Sequence, residues 1–182
     1  MPGTWSASLE WLVGRLAPRF PALQFVEVRY RIKSWRQLDG CVRDAREAIA
    51  ATGAARILVL GFSMGGAVAL SVADDPRVEA IVGLAPWLYD GLDVSRARGK
   101  RLDVLHGSLD RYLPGVPGVS PALSRRGFER ALVAGAEGDY ELIPGALHAI
   151  ALREPWRRRP VPLPRAHAWQ RAIARRLDAF AG

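Results

Sequence analysis

Residues 56–73 limit the possible folds of this chain more than any other stretch. They read Arg-Ile-Leu-Val-Leu-Gly-Phe-Ser-Met-Gly-Gly-Ala-Val-Ala-Leu-Ser-Val-Ala. Ile57, Leu58, Val59 and Leu60 are successive β-formers, a run of the length expected for a strand buried on both faces. Residues 61–66 break the run, and small helix-compatible residues follow. Strand, sharp turn and helix therefore come in immediate succession. A Gly-x-Ser-x-Gly pentad in this setting puts Ser63 at the apex of a strained turn. Gly61 and Gly65 are expected to remove side chains that would clash where strand and helix approach.

Such a turn lifts the Ser63 hydroxyl clear of the sheet for attack on a carbonyl. It also aims the backbone N–H of Met64, at the helix start, toward the oxyanion that the attack would create. A neutral hydroxyl is a weak nucleophile and needs a base to take its proton and an acid to orient that base. Asp110 follows a short strand (102–106) in His-Gly-Ser-Leu-Asp and is the candidate acid, with Asp90 the fallback; Asp103 lies inside the strand itself. His148, in Pro-Gly-Ala-Leu-His after a strand at 140–143, is the candidate base. His106 ends a strand and reads as a structural turn residue, and His167 as a solvated residue of the closing helix.

The rest of the chain supplies alternating elements. Leu9, Leu12, Val13 and Leu16 fall at helical spacing over 8–16, with Ser8 a candidate N-cap, and the helix reads as a surface one. Residues 24–31 read as a strand and 34–52 as a long helix ended by Gly53. An apolar strand is expected at 78–84, a Pro- and Gly-rich surface loop at 113–121, a helix at 121–135, a basic, Pro-rich segment at 157–164 and an amphipathic helix at 165–180. Strands that are continuous apolar runs, alternating with helices, imply an α/β fold with a mostly parallel sheet covered by helices on both faces. Ligands in such folds bind beyond the C-terminal strand ends, where Ser63, Trp87, Asp110 and His148 all fall.

At 182 residues and 49% apolar composition the chain reads as one domain, 1–182. Its net charge of +8 comes almost entirely from arginines that are scattered apart from Arg157, Arg158 and Arg159, which argues against a specific nucleic-acid surface. Cys41 alone cannot form an intrachain disulfide, and no Cys/His spacing suits a metal. With no leader pattern and no spanning stretch, the expected setting is cytoplasmic, away from the membrane.

The set Gly-Phe-Ser-Met-Gly-Gly, Leu-Ala-Pro-Trp, Leu-His-Gly-Ser-Leu-Asp and Pro-Gly-Ala-Leu-His resembles the α/β-hydrolase superfamily, in its lid-poor esterase and dienelactone-hydrolase-like branch. The resemblance covers the chain from about Phe25 onward. It implies a minimal α/β-hydrolase fold and a serine hydrolase with Ser63 as nucleophile, Asp110 as acid and His148 as base. Met64 would serve the oxyanion hole, and no metal or cofactor would be needed. It implies no cap domain, because only a short connector (88–93) lies where larger relatives insert one. Trp87, Tyr89 and Tyr112 are then the candidate substrate-binding residues, facing small or short-chain esters. One departure stands out: members of the family begin with a hairpin and a third strand whose following loop gives a second oxyanion N–H. Here the first strand resembles the family's fourth, and Met1-Pro2-Gly3-Thr4 falls where that loop should finish. Either the 24–31 strand pairs directly with the 57–60 strand, or the natural chain starts further upstream. The alternatives in function are a peptidase or acyltransferase on the same triad, a truncated or degenerate fold that binds without turnover, and electrostatic adhesion to nucleic acid.

Overall fold

The computed structural model describes residues 6–111, 118–154, 156 and 159–182. Four parallel strands, β1 (Ile57–Phe62), β2 (Val78–Leu84), β3 (Arg101–Gly107) and β4 (Tyr140–Ile143), lie side by side in chain order. The register pairs Phe62 with Leu84, Leu84 with Leu105, and Gly107 with Ile143, so the C-terminal ends of all four strands reach one edge.

Alternation along the strands feeds two cores. Val78, Ile81, Leu102 and Val104 face one side. They pack there against α2 (Leu38–Thr52), α3 (Met64–Ser71) and α4 (Pro121–Val133), through Cys41, Ala45, Ile49, Leu70, Phe128 and Ala131. Val82, Leu84, Leu105 and Ile143 face the other side. Their partners are α1 (Ala7–Leu16) and the closing helix α5 (Ala166–Ala181), through Trp11, Leu12, Trp169, Ile173 and Leu177. Helices thus cover both faces of a parallel sheet, as the apolar strand runs imply.

Three local expectations fail, each for a physical reason. Residues 24–30 form no strand; Phe25 anchors to one core and Val28 and Tyr30 to the other, while Arg31 is tied to Asp44 by its N–H (2.8 Å) and its Nε–H (2.5 Å). Side chains hold this segment in place of a backbone ladder, and β1 pairs only with β2 among the described residues. Ser8 is not a cap: the helix starts after Ser6, and the buried Ser8 hydroxyl accepts from the N–H groups of Ile150 and Ala151. The helix is correspondingly a core element, with Trp11, Leu12 and Leu16 buried. Within the basic, Pro-rich 157–164 segment, for which the sequence pattern names no element, a short strand β6 (Pro160–Pro162) runs antiparallel to β5 (Ala151–Arg153). A proline lacks the ladder donor, and such an isolated two-stranded edge is where it is tolerated.

Among the described residues no helix is long and apolar enough to cross a membrane, and no cluster of His, Cys, Asp or Glu could hold a metal ion.

Candidate active site

Ser63 sits between β1 and α3 with φ +55° and ψ −120°, a sparsely populated conformation for a side-chain-bearing residue. Three backbone bonds hold it there: its N–H donates to Leu84 O (2.9 Å), and its carbonyl accepts from Gly66 N (2.9 Å) and Trp87 N (3.0 Å). The turn closes because Gly61 has no side chain; a Cβ there would lie 2.2 Å from Gly65 O. The expectation for Gly65 does not hold. A Cβ at Gly65 meets nothing nearer than Tyr30 Oη at 3.8 Å, whereas one at Gly66 would lie 2.3 Å from Pro86 Cβ. Pro86 follows β2 and wedges against the helix start, so Gly66 is the residue that close packing requires.

Asp110 and His148 come from the turns after β3 and β4. The Ser63 Oγ–H donates to His148 Nε2 (3.1 Å), and the His148 Nδ1–H donates to Asp110 Oδ2 (2.7 Å). The imidazole is 15% exposed and the Asp110 side chain fully buried, so the hydroxyl end faces solvent and the carboxylate end faces protein. Phe62 packs against the imidazole with ring centroids 5.1 Å apart. Burial pushes the Asp110 carboxyl upward. Hydrogen bonds from His106 and then His148 outweigh it and hold the group below its ordinary value.

Sequence reasoning missed His106. It is fully buried, not a turn residue, and its Nε2 lies 2.9 Å from Asp110 Oδ2 and 2.9 Å from Val119 O. The signal was available: His106 and Asp110 are four apart around a tight turn, in which Asp110 N–H donates to Gly107 O (3.1 Å). Asp110 Oδ1 accepts from Val119 N (3.1 Å), so among the described residues the carboxylate has three donors.

The other candidates separate cleanly. Asp90 is 75% exposed and sits beside Arg130, not the imidazole. Asp103 is engaged by Arg101 and by Asp139 N–H, near the opposite end of its strand. His167 is exposed and edges onto Trp11. Trp87 stacks on Tyr89 (4.4 Å) and takes the edge of Trp35 (4.7 Å), a residue the sequence did not single out. Tyr112 and Met1 to Thr4 lie outside the described residues. The 88–93 connector is clamped to α4: Arg130 donates to Tyr89 O and Leu92 O, and Gly127 leaves room for Leu88.

No family model matches the sequence, and no curated protein matches it. Solved structures do. An alpha-beta serine hydrolase homologue from Coxiella burnetii superposes with a TM-score of 0.64 at 17% identity, over 91% of this chain and 76% of its own. The alpha/beta hydrolase enzyme MGS-M1, from a Medee basin deep-sea metagenome, superposes at 0.62 with 19% identity, over 84% and 69%. A monoacylglycerol lipase from Paleococcus ferrophilus superposes at 0.59 with 14% identity, over 79% and 76%. Together with the parallel sheet and the strained serine turn between β1 and α3, these likenesses show that the chain has the α/β-hydrolase fold.

Proposed function

We propose that this protein is a serine hydrolase that cleaves carboxylic esters of small or short-chain substrates through an acyl-enzyme. The observation that carries the reading is the unbroken chain from Ser63 Oγ through both nitrogens of His148 to a buried, ionised Asp110. In this mechanism His148 Nε2 takes the Ser63 proton as Oγ attacks the ester carbonyl carbon. The carbonyl π pair moves onto oxygen, where the Met64 N–H, first in α3, meets it. Collapse expels the alcohol, which leaves with the proton from His148. Water then attacks the acyl-enzyme with His148 again as base. Asp110 fixes the Nδ1–H tautomer and stabilises the imidazolium without taking the proton. The 88–93 connector is pinned on α4 and, among the described residues, carries no inserted cap domain, which favours small, freely diffusing esters, and Trp87 and Tyr89 are the proposed apolar contacts of the substrate.

The test is hydrolysis of p-nitrophenyl acetate and p-nitrophenyl octanoate by the wild type, Ser63→Ala and His148→Ala. The expected result is faster turnover of the acetate, falling by at least about 10³-fold in either variant. Equal rates in wild type and Ser63→Ala, with both folded, overturn the reading. One observation favours a second reading, a fold that binds without turnover: β1 carries no ladder partner on its outer edge among the described residues, where the family places the strand whose loop gives a second oxyanion donor. Loss of one such donor typically costs about 10²- to 10³-fold in turnover.

A further inference from the structure

Behind Asp110 the polar network does not stop. His106 Nε2 faces two acceptors, the Asp110 carboxylate and the Val119 carbonyl, each at 2.9 Å. Two acceptors can face one buried nitrogen only if that nitrogen carries a proton, so the Nε2–H form is fixed by its surroundings. Nδ1 lies 2.6 Å from Ser124 Oγ, and in the singly protonated ring it accepts from the Ser124 Oγ–H. Tyr140 Oη lies 2.8 Å from Ser124 Oγ and 2.9 Å from Pro121 O, and donates between them. Burial pushes the Tyr140 phenol up, against the Ser124 hydrogen bond and the nearby Arg125, so it keeps that proton. The side-chain polar atoms of Asp110, His106, Ser124 and Tyr140 therefore all have partners, in a region where His106 and Ser124 are fully buried.

A turn residue needs none of this. A packing histidine would be served by one bond, whereas this one spends its donor on the carboxylate that also holds His148. We propose that His106 is a positioning residue for the triad: through its Nε2–H, and the Ser124–Tyr140 relay that fixes its tautomer, it aims Asp110 and sets how much of the carboxylate's charge reaches His148. The inference rests on the proposed role of Asp110. The groups around the pair are His106 on β3, Arg111 beside Asp110, Ser124 and Arg125 on α4 (Arg125 over the Tyr140 ring at 4.2 Å), Tyr140 on β4, and Ser63 before α3. Among the described residues no other group donates to Asp110 Oδ2, so removal of His106 leaves His148 as the one described donor to that oxygen. More negative charge then faces the His148 ring, its protonated form is favoured, and the base becomes available only at higher pH.

The test follows the pH profile of kcat/KM for p-nitrophenyl acetate in wild type, His106→Phe and His106→Gln, beside titration of the ring signals in ¹⁵N-histidine NMR. Only three histidines are present, so the signals are assignable by substitution. In His106→Phe the acid limb and the His148 titration midpoint should both rise by about one pH unit, tenfold in proton affinity. His106→Gln keeps an amide donor toward Asp110 and should restore most of the difference. A merely structural histidine would lower stability and leave both midpoints unmoved, and unmoved midpoints in a folded His106→Phe overturn the proposal. Should that variant not fold, the wild-type spectrum decides: a protected His106 Nε2–H whose signal shifts as His148 titrates supports the coupling, and an unprotonated Nε2 refutes it. The NMR arm needs no turnover. A chain inactive on every ester with a coupled pair therefore refutes the esterase reading alone.

Discussion

Replacing Gly66 by alanine puts a methyl 2.3 Å from Pro86 Cβ and 2.9 Å from Pro86 Cα. Ordinary carbon contacts lie at about 3.5–4.0 Å, so something must retreat by about 1.2 Å. Pro86 cannot readily do so. Ala85 before it donates to Leu105 O (2.8 Å), Trp87 after it donates to Ser63 O (3.0 Å), and Gly83 already lies under its ring. The start of α3 must move, and with it Ser63 and Met64. Overpacking of this kind typically costs about 1–3 kcal/mol, and the rigid neighbours place Gly66→Ala at the upper end. Displacement of the hydroxyl by about 1 Å should lower p-nitrophenyl acetate turnover about 10²-fold. Gly65→Ala is the control. Its methyl meets nothing within 3.8 Å, and alanine gains about 0.5–1 kcal/mol over glycine inside a helix, so this variant should be as stable as wild type or more so. Urea unfolding followed by tryptophan fluorescence reads both. The pentad by itself ranks Gly65 as the essential residue; if Gly65→Ala proves the more destabilised of the two, the packing argument is wrong.

Two further perturbations probe the frame. Ser8→Ala strips the acceptor from the Ile150 and Ala151 amides in a buried site, and should cost about 2–4 kcal/mol in urea unfolding without changing the fold. Burial, with Cys41 and Asp44 nearby, pushes the Tyr30 phenol up to about 12. Its neutral form is therefore favoured by folding, and the stability it contributes is complete below pH 10 and lost as pH rises from 10 toward 12; ultraviolet difference titration should show one tyrosine ionising last, and Tyr30→Phe should remove that step.

The parts of this fold that depend on local pattern were legible in the sequence. β1 and β2 declare themselves as apolar runs and β3 and β4 as short strand segments, and Gly53 at φ +63° ends its helix as expected. That Ser63, Asp110 and His148 would be brought to one sheet edge was legible because each follows a strand. What escaped depends on partners far away in the chain. Alternation in residues 24–31 looks like a strand, but a ladder needs a second backbone at the right spacing, and side-chain anchors hold this segment instead. Ser8 has the chemistry of a cap, yet its acceptor role is set by amides 142 and 143 residues away. His106 was misread because a histidine before glycine has a sufficient local explanation, while Ser124 and Tyr140 lie 18 and 34 positions on.

The order of the strands explains why the site needs Gly107. Adjacent strands lie about 4.8 Å apart, so Ser63, beyond β1, and Asp110, beyond β3, are separated by two spacings, roughly 10 Å. A single imidazole with a hydrogen bond at each nitrogen spans only somewhat less than that, about 7–8 Å, so it must lie nearly straight between them. His148, however, comes from beyond β4, on the far side of β3 from the serine. Its loop has to double back over the end of β3 to bring the ring between the two groups. The crossing point is Gly107, last in β3, where a Cβ would lie 2.5 Å from Ala146 O and 2.6 Å from Leu147 O. Bonds on either side pin the crossing: Ser108 N–H to Ile143 O (3.1 Å), Leu109 N–H to Ala146 O (2.9 Å) and Gly145 N–H to Ser108 Oγ (2.9 Å). The His-Gly pair at 106 and 107 thus serves both sides of the carboxylate. The glycine lets the loop carrying one imidazole pass over β3 to reach Asp110, and the histidine beneath places a second imidazole against the same oxygen.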